Sequence, residues 1–81
     1  VRKTKKALAA AKMIGDNIAS RRLGADMTQA ALAKKLKVTP VTVGRWERGE
    51  QSPDLAYVCD LAKVFGVNWW DILNSTEGKS K

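Results

Sequence analysis

Histidine is absent from this sequence, and cysteine occurs once, at position 59. Zinc sites of the Cys/His kinds, Ser-His-Asp triads, histidine general bases and any disulfide within the chain are thereby excluded, and no cofactor or metal is expected. Cys59 itself is most simply a small buried hydrophobe. Aromatic residues make up only 6% of the chain, and together with the β-formers they are outnumbered by Leu, Ala, Lys and Arg, which points to an all-α build. No apolar run reaches the length of a membrane span, and no uninterrupted apolar stretch like a secretory signal opens the chain. A cytoplasmic protein without a membrane partner is the default expectation. The chain begins with Val1 rather than Met, which leaves open that it is a piece of a longer product.

Acidic residues are also scarce, eight against fifteen Lys and Arg, for a net charge of +7 on 81 residues. A single domain with one small core is all that this length supports. The charge is unevenly spread: +6 over residues 1–22, +3 over 23–49, −3 over 50–73 and +1 over 74–81. Such a field on the N-terminal half attracts polyanions, nucleic acid or an anionic surface.

Three segments follow. Residues 1–13 open with VRKTKKALAAAK, five basic side chains and no acid. This stretch reads as a solvated tail, as an upstream continuation of the first helix, or as a basic arm in which Lys3, Lys5 and Lys6 neutralise phosphates. Residues 14–73 carry the folded domain, and 74–81 (NSTEGKSK) are a polar tail with nothing to bury. Within the domain, Ile14, Ile18 and Leu23 are expected to form the inward face of a first helix ending near Arg21 and Arg22. Thr28 caps a second helix that starts at Gln29, with Met27 and Leu32 as a hydrophobic staple. Lys37 and Val38 form a corner. Thr39 caps a third helix with Pro40 at its first position, Val38 and Val43 repeat the staple, and Gly49 ends it. Ser52 or Asp54 caps a fourth helix whose apolar face includes Leu55, Val58, Cys59, Leu61, Ala62 and Phe65. Asn68 caps a fifth, with Asp71 in a capping-box position and Val67 and Ile72 as a third staple.

The third helix carries the functional argument. With Val43 and Trp46 inward, Val41, Gly44, Arg45 and Arg48 fall on the opposite side and Thr42 on the flank. Arginine pairs bidentately with guanine, valine meets a thymine methyl, and glycine permits close approach, so this face suits a DNA groove. Val41, Thr42 and Arg45 are the base-reading candidates; Arg48, at the helix end, suits a phosphate, as does Thr39. Gln29, in the first turn of the second helix, docks a phosphate there, braces residue 40 or 41, or is simply an exposed glutamine.

From Ile18 to Leu73, about two thirds of the chain, the residues TQAALAKKLKVTPVTVGRWERG, then SPDL, then LAKVFGVNWWDIL resemble the lambda repressor and Cro type of helix-turn-helix domain, the Xre family. The resemblance implies a compact five-helix, lambda-repressor-like bundle, Ala33 at the contact of the second and third helices, and Val43 and Trp46 as core anchors. It also implies an ion pair between Arg22 and Glu47 and a symmetric dimer contact involving Trp70 and Asn74. Two positions depart from the pattern: Lys37 stands where a glycine is usual, and Pro40 and Val41 stand where many phage repressors place polar base readers. Of the Trp69–Trp70 pair, the residues alone imply that one packs inward while the other partly covers the surface.

The expected function is a transcriptional regulator, a phage- or bacterial-type repressor that binds double-stranded DNA at a palindromic operator as a homodimer. The alternative is an antitoxin or bridging module that uses the acidic, Trp-bearing surface of the fourth and fifth helices for a protein partner. A third expectation, an N-terminal piece of a longer self-cleaving repressor, would leave any enzyme activity outside these residues.

Overall fold

The computed structural model describes residues 5–74, and the regular elements among them are five α-helices. They are α1 (Lys5–Gly24), α2 (Gln29–Leu36), α3 (Pro40–Glu47), α4 (Leu55–Phe65) and α5 (Trp69–Leu73). Each start has a local cause. Thr28, Thr39 and Asp54 accept a hydrogen bond on their side chains from the amides of Ala31, Thr42 and Tyr57, supplying partners that helical amides otherwise lack. At α5 the Asn68 amide donates to Asp71 Oδ2 at 3.2 Å.

The ends are equally local. The chain leaves α1, α2, α3 and α4 through left-handed residues Asp26, Lys37, Gly49 and Gly66 (φ 58°, 60°, 75° and 70°). The amide that follows each of them reaches back to a carbonyl of the last helical turn, the arrangement that satisfies orphaned C-terminal acceptors. Lys37 holds this conformation with a side chain attached, where glycine would be free of the Cβ clash.

Ile18, Leu32, Ala33, Leu36, Val43, Trp46, Val58, Leu61, Ala62 and Ile72 form one core, flanked by half-buried Met27, Val38 and Val67, the leading members of the three staples. Helix α1 lies chiefly against α3 and α5, and α2 packs on α3 and α4. The α1–α3 approach is close because of Gly15: a Cβ there would fall 2.2 Å from the Trp46 carbonyl oxygen and 2.8 Å from that of Glu47.

Four expectations about packing are corrected. Leu23 is 63% exposed; nine residues beyond Ile14, it lies about half a turn around the helix from it at roughly 100° per residue. Leu55, the first residue of α4, is exposed, and Val58 one turn later is the first of that face to be buried. Cys59 is half-buried. Neither Trp69 nor Trp70 packs inward: they are 44% and 49% exposed and meet edge to face, with ring centroids 5.5 Å apart. Ile72 fills the core from α5 instead.

Of the three options for the basic N-terminal stretch, the helical one describes Lys5 to Met13, which are part of α1. Lys5 and Lys6 are exposed on its first turn. Lys3 and the tail from residue 75 lie outside the described residues.

Candidate nucleic-acid interface

Helix α3 is held from behind by a polar cluster. Arg22 Nε donates to Glu47 Oε2 at 2.6 Å and Nη2 to Oε1 at 3.1 Å, with both side chains largely buried, at 12% and 8% exposure. Arg22 Nη1 donates to the Met27 carbonyl at 2.7 Å, and Gln29 Nε2 donates to Glu47 Oε1 at 2.9 Å. The carboxylate of α3 therefore joins α1 to α2, and Arg22 ties in the α1–α2 turn. The hydrogen bonds that Arg22 donates to Glu47 raise the Arg22 pKa; burial opposes this, and the charge of Glu47 adds to it.

Gln29 has a partner that the sequence did not disclose. One of its amide hydrogens is committed to Glu47, and its oxygen lies 3.6 Å from where a Cβ on Gly44 would sit. Gly44 is accordingly buried and not part of the outer face. Arg48 covers it from the other side, with Nη1 3.0 Å from the same Cβ position. The missing Cβ at Gly44 leaves space for the Arg48 guanidinium, while Gln29 lies at ordinary contact distance.

What remains outward on α3 is Val41, 58% exposed, with Arg45 exposed one turn later. Thr42 is half-buried on the flank, its hydroxyl 3.1 Å from that of the exposed Thr39. Arg48 is exposed and makes a two-toothed contact with Glu50, at 2.7 Å from Nε and 3.2 Å from Nη2. The Arg48 hydrogen bond holds the Glu50 carboxyl below the usual carboxylate range, with the charges of Arg48 and Arg45 adding, and raises the Arg48 pKa in turn. A crevice of about 290 Å³ runs beside this face, lined by Thr42, Trp46, Gln51, Ser52, Asp54 and Tyr57 among others.

On α5, Trp70 is joined to Asn74, whose backbone and side-chain nitrogens both donate to the Trp70 carbonyl, at 3.1 and 2.8 Å. Sequence reasoning missed what fixes this helix. Asn17 of α1 is buried, and its amide nitrogen lies 2.7, 2.9 and 2.8 Å from the carbonyl oxygens of Asp71, Ile72 and Asn74. Its own oxygen accepts from Arg21 Nε at 3.1 Å. An asparagine on the inward side of an Ala-rich helix was the one available signal, since buried polar groups need partners.

Two short helices at a corner, with the second bearing an outward Val–Arg face, match the helix-turn-helix family model over residues 18–69. The chain belongs to the helix-turn-helix family, of the lambda repressor or Xre type. Among helix-turn-helix relatives, the HTH-type transcriptional regulator DicA of Escherichia coli (strain K12) is 39% identical over 66 residues, which cover 82% of this chain and 49% of DicA. The chain thus spans about half the length of that relative. The solved clp gene regulator ClgR from Corynebacterium glutamicum shares the helix-turn-helix fold with a TM-score of 0.74 at 22% identity, over 79% of this chain and 68% of its own. FeII HppE, solved in complex with a substrate, aligns with a TM-score of 0.72 and 31% identity over 86% of this chain and 40% of that one. Among the described residues no helix is long and apolar enough to cross a membrane, and no group of three or more His, Cys, Asp or Glu is placed to hold a metal ion.

Proposed function

We propose that this protein is a sequence-specific DNA-binding transcriptional regulator of the repressor type, acting in the cytoplasm as a homodimer on a palindromic operator and without a cofactor. One observation carries the reading: α3 is anchored through Glu47, Gln29 and Gly15, while Val41 and Arg45 are left free on its outer face. A helix fixed from behind, with an apolar side chain for a thymine methyl and an arginine for guanine turned outward, is what major-groove recognition requires. Val41, Thr42 and Arg45 read bases. Arg48, Thr39, the first turn of α2 at Gln29, and Lys3, Lys5 and Lys6 take phosphates, and the charge of +7 supports that share of the binding. The likeness to DicA, a transcriptional regulator by name, supports the same conclusion.

Selection of bound duplexes from a random pool tests this reading. A palindromic consensus is expected, with half-sites about one helical turn apart; enrichment of no sequence would refute it. The exposed Trp69–Trp70 pair favours a second reading, in which α4 and α5 present a surface to a protein partner, as an antitoxin or bridging module would. Arg45→Ala separates the two: it abolishes specific DNA binding in the first and leaves partner binding intact in the second.

A further inference from the structure

We propose that Glu50 is a built-in phosphate surrogate that occupies Arg48 until a DNA backbone displaces it, and so sets the grip of the α3 face; the proposal rests on the DNA reading above. Glu50 is not a loosely placed surface acid. Gly49 turns the chain in the left-handed conformation, and the Glu50 amide donates to the Arg45 carbonyl at 2.9 Å, doubling the chain back along the end of α3. The turn is seated on α1, since a Cβ on Gly49 would fall 3.0 Å from the Lys12 Cα.

From that fixed position the carboxylate takes Arg48 through two nitrogens, 2.7 and 3.2 Å away. This is the fork geometry with which guanidinium groups bind phosphate oxygens. Arg48 is in turn steered by Gly44, the bare position over which its guanidinium lies. Arg45 also acts on the same carboxylate through its charge. Both members of the pair are more than half exposed, at 57% and 53%, so the exchange of carboxylate for phosphate requires no burial of charge. An exposed pair of this kind is weak enough to be replaced. Once Arg48 turns to DNA, Glu50 is left as an unneutralised negative charge beside the backbone.

Fluorescence anisotropy of the full chain with a labelled mixed-sequence DNA duplex tests this, because a phosphate contact is independent of sequence. Glu50→Gln is expected to tighten binding about threefold to tenfold and to steepen the salt dependence by close to one phosphate, a slope change of about 0.9. In an Arg48→Gln background the same change should do no more than Asp60→Asn, an exposed acid on α4, does in the wild type. Circular dichroism checks that every variant is folded. Equal gains from Glu50→Gln with and without Arg48, or a gain no larger than that of Asp60→Asn, overturn the role of Glu50 while leaving the DNA reading in place. Absence of duplex binding by the wild type at every salt concentration overturns both.

Discussion

Gly15 of α1 lies against the backbone at the end of α3: a Cβ on Gly15 would sit 2.2 Å from the Trp46 carbonyl oxygen. A mid-helix glycine is otherwise a liability, worth about 1 kcal/mol less than alanine. Gly15→Ala would recover that propensity, but the added methyl collides with backbone that Glu47 ties to Arg22 and cannot retreat. The collision should win, for a net loss of about 1–3 kcal/mol. Thermal unfolding checks the sign, and a raised Tm would show that the two helices are not in this contact.

The Arg22–Glu47 pair gives a second expectation. Glu47→Ala strands Arg22 and removes the acceptor of Gln29 together, so it should cost roughly 2–4 kcal/mol, somewhat below a fully buried pair because Arg22 keeps a little access to water. Glu47→Gln, which retains an acceptor, should cost less. The Arg22 pKa is raised in the folded state, so its stabilising share is fully present below the unfolded value and fades only as pH rises through the folded one. That window lies above the ordinary arginine range, so across neutral pH this share should stay constant in urea titrations.

How much of this was legible follows from range. Caps and staples act within four or five residues, and Thr28, Thr39, Met27, Leu32, Val38 and Val43 announce their helices in the chain itself. The corner at Lys37 could be placed the same way. Contacts between distant elements could not be placed from the residues alone; the Arg22–Glu47 pair was foreseen only through the family resemblance. Nothing near Gly15 shows that α3 will end against it, and nothing near Asn17 shows that three carbonyls of α5 and its C-terminal cap will converge there. Gly44 misleads in a similar way: its position on the helical wheel says outer face, whereas Arg48 and Gln29, the latter fifteen positions earlier, cover it. Of the proposed DNA face, the positions of Val41 and Arg45 on α3 were legible, and the partners of Arg48 and Gln29 were not.

Lys37 offers a change in the other direction. Its left-handed φ of 60° carries a Cβ penalty that glycine escapes, so Lys37→Gly should stabilise the fold by about 0.5–1 kcal/mol, a Tm rise of several degrees in a domain of this size. Asp26 at φ 58° should gain less, because aspartate tolerates this region better. An unchanged or lowered Tm for Lys37→Gly would mean that the entropy of the unfolded chain outweighs the relief of strain.

Asn17 should govern the seating of α5. Asn17→Ala leaves the carbonyls of Asp71, Ile72 and Asn74 without their shared donor and should cost about 1–3 kcal/mol. Asn17→Asp should cost more, since a carboxylate would face those same oxygens. The loss should be local before it is global. Hydrogen exchange is expected to quicken at α5, including the Asn74 amide bonded to Trp70, while the α2–α3 amides keep most of their protection. Uniform quickening throughout the domain would show instead that α5 unfolds only with the whole.

The tryptophans divide into one buried ring, Trp46 at 1% exposure, and two exposed ones that rest on each other. Trp70 contributes little to the core, so Trp70→Ala should change monomer stability by no more than about 1 kcal/mol, the worth of the edge-to-face contact with Trp69. If this patch is the homodimer contact, the same substitution should shift sedimentation toward monomer and flatten the DNA isotherm, because two half-sites would no longer be gripped together. Acrylamide provides the independent check: in the monomer two of the three tryptophans quench readily, and on dimerisation Trp70 should become protected while Trp46 does not change. A dimer that persists in sedimentation of Trp70→Ala would locate the contact elsewhere. Unaltered quenching across a concentration range that includes DNA-bound protein would remove the dimer from the proposal and leave the tryptophan pair to a different partner.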